Sequence, residues 1–94
     1  MLRYGIIIEQ AEGNLSAYVP DLPGCVTTGR SIDEVRANMR EALTLHLRGM
    51  ARDNEPIPEG QDVVPVDQPD VIVTFVEVEA PRPARKQTLS PAVS

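Results

Sequence analysis

Ser16-Ala17-Tyr18-Val19-Pro20-Asp21-Leu22-Pro23-Gly24-Cys25, with Ser31-Ile32-Asp33-Glu34 shortly after it, decides the fold. Leu15, Ala17 and Val19 alternate with Ser16 and Tyr18, the period of a strand with one buried face. Pro20 has no amide donor and weakens the ladder there. Pro20 and Pro23 bracket Asp21 and Leu22, and Gly24 completes a stiff turn. A third strand is expected over residues 25–28, with Gly29 and Arg30 leading out of it. Ser31-Ile32-Asp33-Glu34 has capping-box spacing, so Ser31 is the expected helix N-cap. Asp33 and Glu34 also complement the helix dipole.

Upstream, residues 3–10 read as the first strand. The β-branched run Ile6-Ile7-Ile8 favours it over a helix. Tyr4, Ile6 and Ile8 point one way, Gly5 and Ile7 the other. Glu12-Gly13-Asn14 then marks a hairpin. Downstream, Ile32, Val35, Met39, Ala42, Leu43, His46 and Met50 recur at helical spacing, and Leu47 widens the stripe. The helix is expected to fray by Arg52 or Asp53. Pro56, Pro58, Pro65 and Pro69 make residues 53–70 a connection, extended and partly mobile. Residues 71–78 form the last strand, apolar on both faces: Val71, Val73 and Phe75 on one, Ile72, Val76 and Val78 on the other.

The order β-β-β-α-β predicts an α+β domain over residues 1–79. A three-stranded antiparallel meander feeds one helix, and a right-handed crossover then places the final strand parallel to a neighbour. A strand apolar on both faces is either central or pairs with another subunit. A homo-oligomer, dimer or tetramer, is therefore expected. Residues 80–94, with three prolines and Arg82, Arg85 and Lys86, read as a disordered tail.

The net charge of −5 conceals an asymmetry, since residues 80–94 carry three bases and no acid. Residues 1–79 hold six bases against fourteen acids, and residues 53–79 hold eight acids and no base. Such a body repels phosphate backbones and attracts basic partners. With two tyrosines, one phenylalanine and no tryptophan, there is no platform for stacking nucleic-acid bases. The lone Cys25 excludes an internal disulfide and fits a reducing cytoplasm. No signal-peptide pattern and no apolar run of membrane-spanning length occurs.

Little in the chain reads as catalysis. His46, the only histidine, lies on the apolar stripe of the helix, where a packed or interface role outweighs a catalytic or metal-binding one. Cys25 reads as a small buried strand residue rather than a nucleophile. Asp33 and Glu34 are accounted for by helix capping, and Glu41 by the surface. That leaves Asp21 without the converging acids a two-metal nuclease needs. No catalytic residue, metal ligand or cofactor site is expected.

The stretches quoted above, with Asn38-Met39-Arg40-Glu41-Ala42-Leu43, Leu45-His46-Leu47 and Glu55-Pro56-Ile57-Pro58, resemble the HicB-like antitoxin family over residues 4–59. The resemblance implies a truncated ribonuclease-H-like fold without its catalytic carboxylates. It also implies a non-enzymatic antitoxin of a type II toxin–antitoxin pair, whose partner is a small basic HicA-like messenger-RNA ribonuclease. Many members add a C-terminal DNA-binding domain. Only about fifteen residues follow the last strand here, without a helical pattern, so direct operator binding is not expected. The expected contact residues are Asp21, Leu22, Pro23 and Gly24 of the turn, and Glu55, Glu59 and Asp62 of the acidic connection. The competing reading is an orphan oligomeric module that binds a small ligand or another protein; a residual nuclease using Asp21 is a third.

Overall fold

The computed structural model describes residues 1–61, 66 and 70–81. Asp62 and the tail from residue 82 lie outside the described residues. The chain runs β1 (Leu2–Ala11), β2 (Asn14–Tyr18), β3 (Val26–Gly29), α1 (Ile32–Arg52) and β4 (Val71–Val78). The strands form one sheet in the order β3-β2-β1-β4. Gly13, at φ 82°, turns β1 into β2.

Two consecutive β-turns fold the Pro-Asp-Leu-Pro-Gly segment. Leu22 N–H donates to the Val19 carbonyl, and Cys25 N–H to the Leu22 carbonyl, both at 3.1 Å. Each turn has proline at its second position, where φ is already set, and Gly24 takes φ 90° at the third position of the second turn. Val19 N–H closes the loop on the Cys25 carbonyl at 3.1 Å.

Ser31 caps α1 as its spacing requires, its Oγ accepting from Glu34 N–H at 3.1 Å. Glu34 Oε1 reaches back one residue further than in the usual box and accepts from Arg30 N–H at 2.6 Å. Ser31→Ala is expected to lower stability by about 1 kcal/mol, read from the urea midpoint. At the other end the helix closes in a Schellman motif. Asn54 N–H donates to the Ala51 carbonyl at 3.2 Å and Glu55 N–H to the Met50 carbonyl at 2.8 Å. Asn54 sits at φ 59°, a region asparagine tolerates better than most residues.

Val35, Met39, Leu43 and Leu47 of α1 pack on Tyr4, Ile6 and Ile8 of β1, Ala17 of β2, and Val76 and Val78 of β4. Val19, Leu22 and Cys25 complete the core from the double turn. Cys25 is a buried core thiol, its Sγ 3.9 Å from Met39 Sδ, and burial pushes its pKa up from 9.0.

The α+β class and the meander are as the sequence predicts, but the direction of the final strand is not. β4 runs antiparallel to β1, with Leu2 opposite Val78 and Glu9 opposite Val71. The reason is the connection. A parallel β4 would start at the end of the sheet where α1 finishes. β4 instead starts opposite Glu9, at the other end of the sheet. The sequence length between allows this: positions 53–70 can reach about 60 Å when extended, more than the roughly 32 Å of a helix of this length.

β4 is accordingly an edge strand rather than a central one. On its free edge Arg36 Nη2 donates to the Phe75 carbonyl at 3.1 Å, and Arg40 Nε to the Glu77 carbonyl at 3.3 Å. These helix arginines occupy acceptors that would otherwise invite another strand. On the sheet face away from α1, Val26, Tyr18, Ile7 and Val73 are aligned across all four strands. Ile7 is buried, whereas Val26, Tyr18 and Val73 are exposed.

Candidate functional site: a groove between the double turn and a proline strap

Residues 55–61 form a strap that the structure ties down at several points. Tyr4 Oη donates to the Pro58 carbonyl at 2.7 Å. Gln61 N–H donates to Asp21 Oδ2 at 3.3 Å. Ile57 packs on the core. Gly60 lies so close to the Arg3 carbonyl and the Tyr4 Cα that a Cβ there would collide with the backbone of β1. This part of the connection, expected to be extended and partly mobile, is therefore anchored.

The strap, the double turn and the last turns of α1 enclose a groove of about 460 Å³. Leu22, only 2% exposed, lies at its floor with half-buried Met50 and Ile57. Pro23, Pro56 and Pro58 form apolar walls, and Asp21, Glu55 and His46 bring the polar groups. Asp21 is half-buried and Glu55 exposed.

The fold thus brings Asp21, Leu22 and Pro23 together with Glu55, across more than thirty positions of sequence. Gly24 does not line the groove; it shapes the turn that carries Pro23. Glu59 is exposed further along the strap. Met50, Ile57, Pro58 and the anchoring Tyr4 were not singled out as site residues in the sequence. Local pattern marks them only as helix, connection and strand. His46, read there as a packed or interface residue, lines the groove half-buried. Among the described residues no group of three histidine, cysteine or acidic side chains could hold a metal ion. No helix among the described residues is long and apolar enough to cross a membrane.

Burial, and secondarily the Asp21 carboxylate, push the Tyr4 phenol above its ordinary pKa of 10.0. A folded-state pKa raised above the unfolded one adds stability that is complete below pH 10 and is lost as pH rises from 10 through the folded value. The Cys25 thiol acts in the same sense from pH 9 upward. Unfolding free energy is therefore expected to fall progressively above pH 9. Tyr4→Phe should abolish the part that begins at pH 10. At neutral pH it should lower stability by about 1 kcal/mol through the lost Pro58 bond. Denaturant melts from pH 7 to 11.5 check both.

Among the described residues the double turn, the strap and the end of α1 thus form an apolar groove with a carboxylate rim. The chain belongs to the HicB-like antitoxins of bacterial toxin–antitoxin systems, whose family model matches residues 4–88. It is 36% identical over 82 residues to an uncharacterised 14.9 kDa protein of Haemophilus phage HP1, covering 83% of this chain and 62% of the phage protein. It superposes with TM-score 0.68 and 26% identity on a chain of the HicA3 and HicB3 toxin–antitoxin complex, covering 83% of this chain and 99% of that one. It also superposes with TM-score 0.69 and 26% identity on the Burkholderia pseudomallei antitoxin HicB, covering 84% of this chain and 64% of that antitoxin. The chain thus spans somewhat less than two thirds of the phage protein and of the Burkholderia antitoxin.

Proposed function

We propose that this chain is the antitoxin of a type II toxin–antitoxin pair, working in the cytoplasm. It binds a HicA-like ribonuclease and blocks messenger-RNA cleavage by covering the toxin's active surface. The observation that carries this reading is the likeness, at 26% identity, to nearly the whole of a chain from a solved HicA3–HicB3 complex. The charge pattern supports it. The body of residues 1–79 is strongly acidic, and an acidic surface speeds encounter with a basic nuclease and disfavours nucleic acid. The mechanism is steric and electrostatic and needs no catalytic residue or cofactor. The proposed contact surface is the double turn with Asp21, Leu22, Pro23 and Gly24, and the strap with Glu55 and Glu59. Asp62 belongs to the same acidic connection.

The test is a titration against a HicA-like ribonuclease, an adjacent one or else a close relative, following complex formation and RNA cleavage together. Binding with stoichiometric loss of cleavage is the expected result, weakened by raised salt because exposed charges are screened. Cleavage untouched by an excess of this chain would overturn the reading.

A second reading, an oligomeric module for a small ligand or an unrelated protein, is favoured by the exposed Val26, Tyr18 and Val73 on the sheet face away from α1. Homo-oligomerisation is compatible with both readings. A sedimentation-equilibrium mass equal to the monomer at all concentrations would remove it from each.

A further inference from the structure

We propose that the groove between the double turn and the strap is a receptor for an arginine side chain presented by a basic protein partner. This deepens the antitoxin reading and rests on it for the partner's identity. The groove's chemistry stands independently.

Four features of the groove point to that occupant. Its floor and walls are hydrocarbon and thioether: Leu22, Met50 and Ile57 below, proline rings at the sides. Such a surface takes the aliphatic stem of a long side chain and the flat, weakly hydrated face of a guanidinium. Asp21 and Glu55 then supply negative charge, and among the described residues no lysine or arginine lines the groove to neutralise them. Asp21 is also held in place. Its Oδ2 accepts from Gln61 N–H at 3.3 Å, while no bond to Oδ1 occurs among the described residues. A carboxylate positioned before binding loses little freedom when it pairs. At about 460 Å³ the groove has the size of an ordinary ligand site and admits one long side chain with its flanking backbone. A neutral apolar occupant would offer Asp21 Oδ1 no partner, and an anionic one would be repelled.

The experiment uses the full chain with labelled methionine and isoleucine methyl groups, titrated with acetyl-arginine amide and with its neutral isostere acetyl-citrulline amide. Arginine is expected to shift the Met50 and Ile57 methyl resonances saturably, with citrulline at least about tenfold weaker, since only the charged head gains the charge-assisted bonds. D21N/E55Q should weaken the arginine titration by a similar factor. E55Q, at an exposed side chain, should weaken it even where D21N loosens the strap. Equal shifts from citrulline, equal affinity for acetyl-lysine amide, or a titration unchanged in E55Q and D21N/E55Q would each overturn the proposal. Ribonuclease inhibition without arginine capture sinks this proposal alone. Arginine capture without ribonuclease binding sinks the antitoxin reading and leaves the groove assignment standing.

Discussion

Gly60→Ala is expected to lower the unfolding free energy by about 2 kcal/mol and to undo the groove. The added methyl would meet the Arg3 carbonyl and the Tyr4 Cα, which are backbone atoms of β1 and cannot rotate away. Either β1 shifts or the strap lifts, and the strap yields more readily because only a few contacts hold it. Lifting it breaks the Tyr4–Pro58 bond and withdraws Ile57 from the core. The loss falls in the range found for overpacked interiors, about 1–3 kcal/mol. A second readout separates this mechanism from general destabilisation. With the strap raised, Tyr4 regains water, and its alkaline titration should move back down toward 10. A Gly60→Ala protein with unchanged melting and an unchanged Tyr4 titration would show that the strap does not rest on Arg3.

Leu43→Ala should have the larger effect on stability. Leu43 is 0% exposed at the centre of the helix–sheet core, two residues from Leu45, which is 62% exposed on the opposite side of the helix. Truncating a buried leucine removes about 2–5 kcal/mol, depending on how far the cavity collapses. Domains of this size have about 5–15 kcal/mol in total, so the variant should melt about 8–40 °C lower, at roughly 4–8 °C per kcal/mol. Leu45→Ala, the same chemical change, should stay within about 0.5 kcal/mol. Equal shifts in the two variants would contradict the burial pattern of α1.

The contrast between Leu43 and Leu45 is legible in the sequence, because helical periodicity assigns them to opposite sides. The helix start is legible too: Ser31, Asp33 and Glu34 act within one turn of each other. The double turn is written in Pro20, Pro23 and Gly24, whose φ preferences are properties of single residues. Half of the groove was therefore visible beforehand as the turn with Asp21, Leu22 and Pro23, and Glu55 was visible as acidic. That Met50 and Ile57 lie between them was not. Nor was the role of Asn54 in closing α1, where a lone asparagine carries a weaker signal than glycine.

What the sequence by itself determined, then, is everything governed by neighbours a few positions apart: the strands, the turns, the caps, the buried stripe of the helix and the acidic balance of the body. What only the tertiary structure decided is the course of residues 55–61 and the direction of the strand that follows: the anchored strap, the groove and the antiparallel β4. The physical reason is that closing a loop of this length costs nearly the same entropy along either route. No local preference selects the path. It is selected by contacts made only once the sheet exists: Gly60 against the Arg3 backbone, Tyr4 on Pro58, and Gln61 on Asp21.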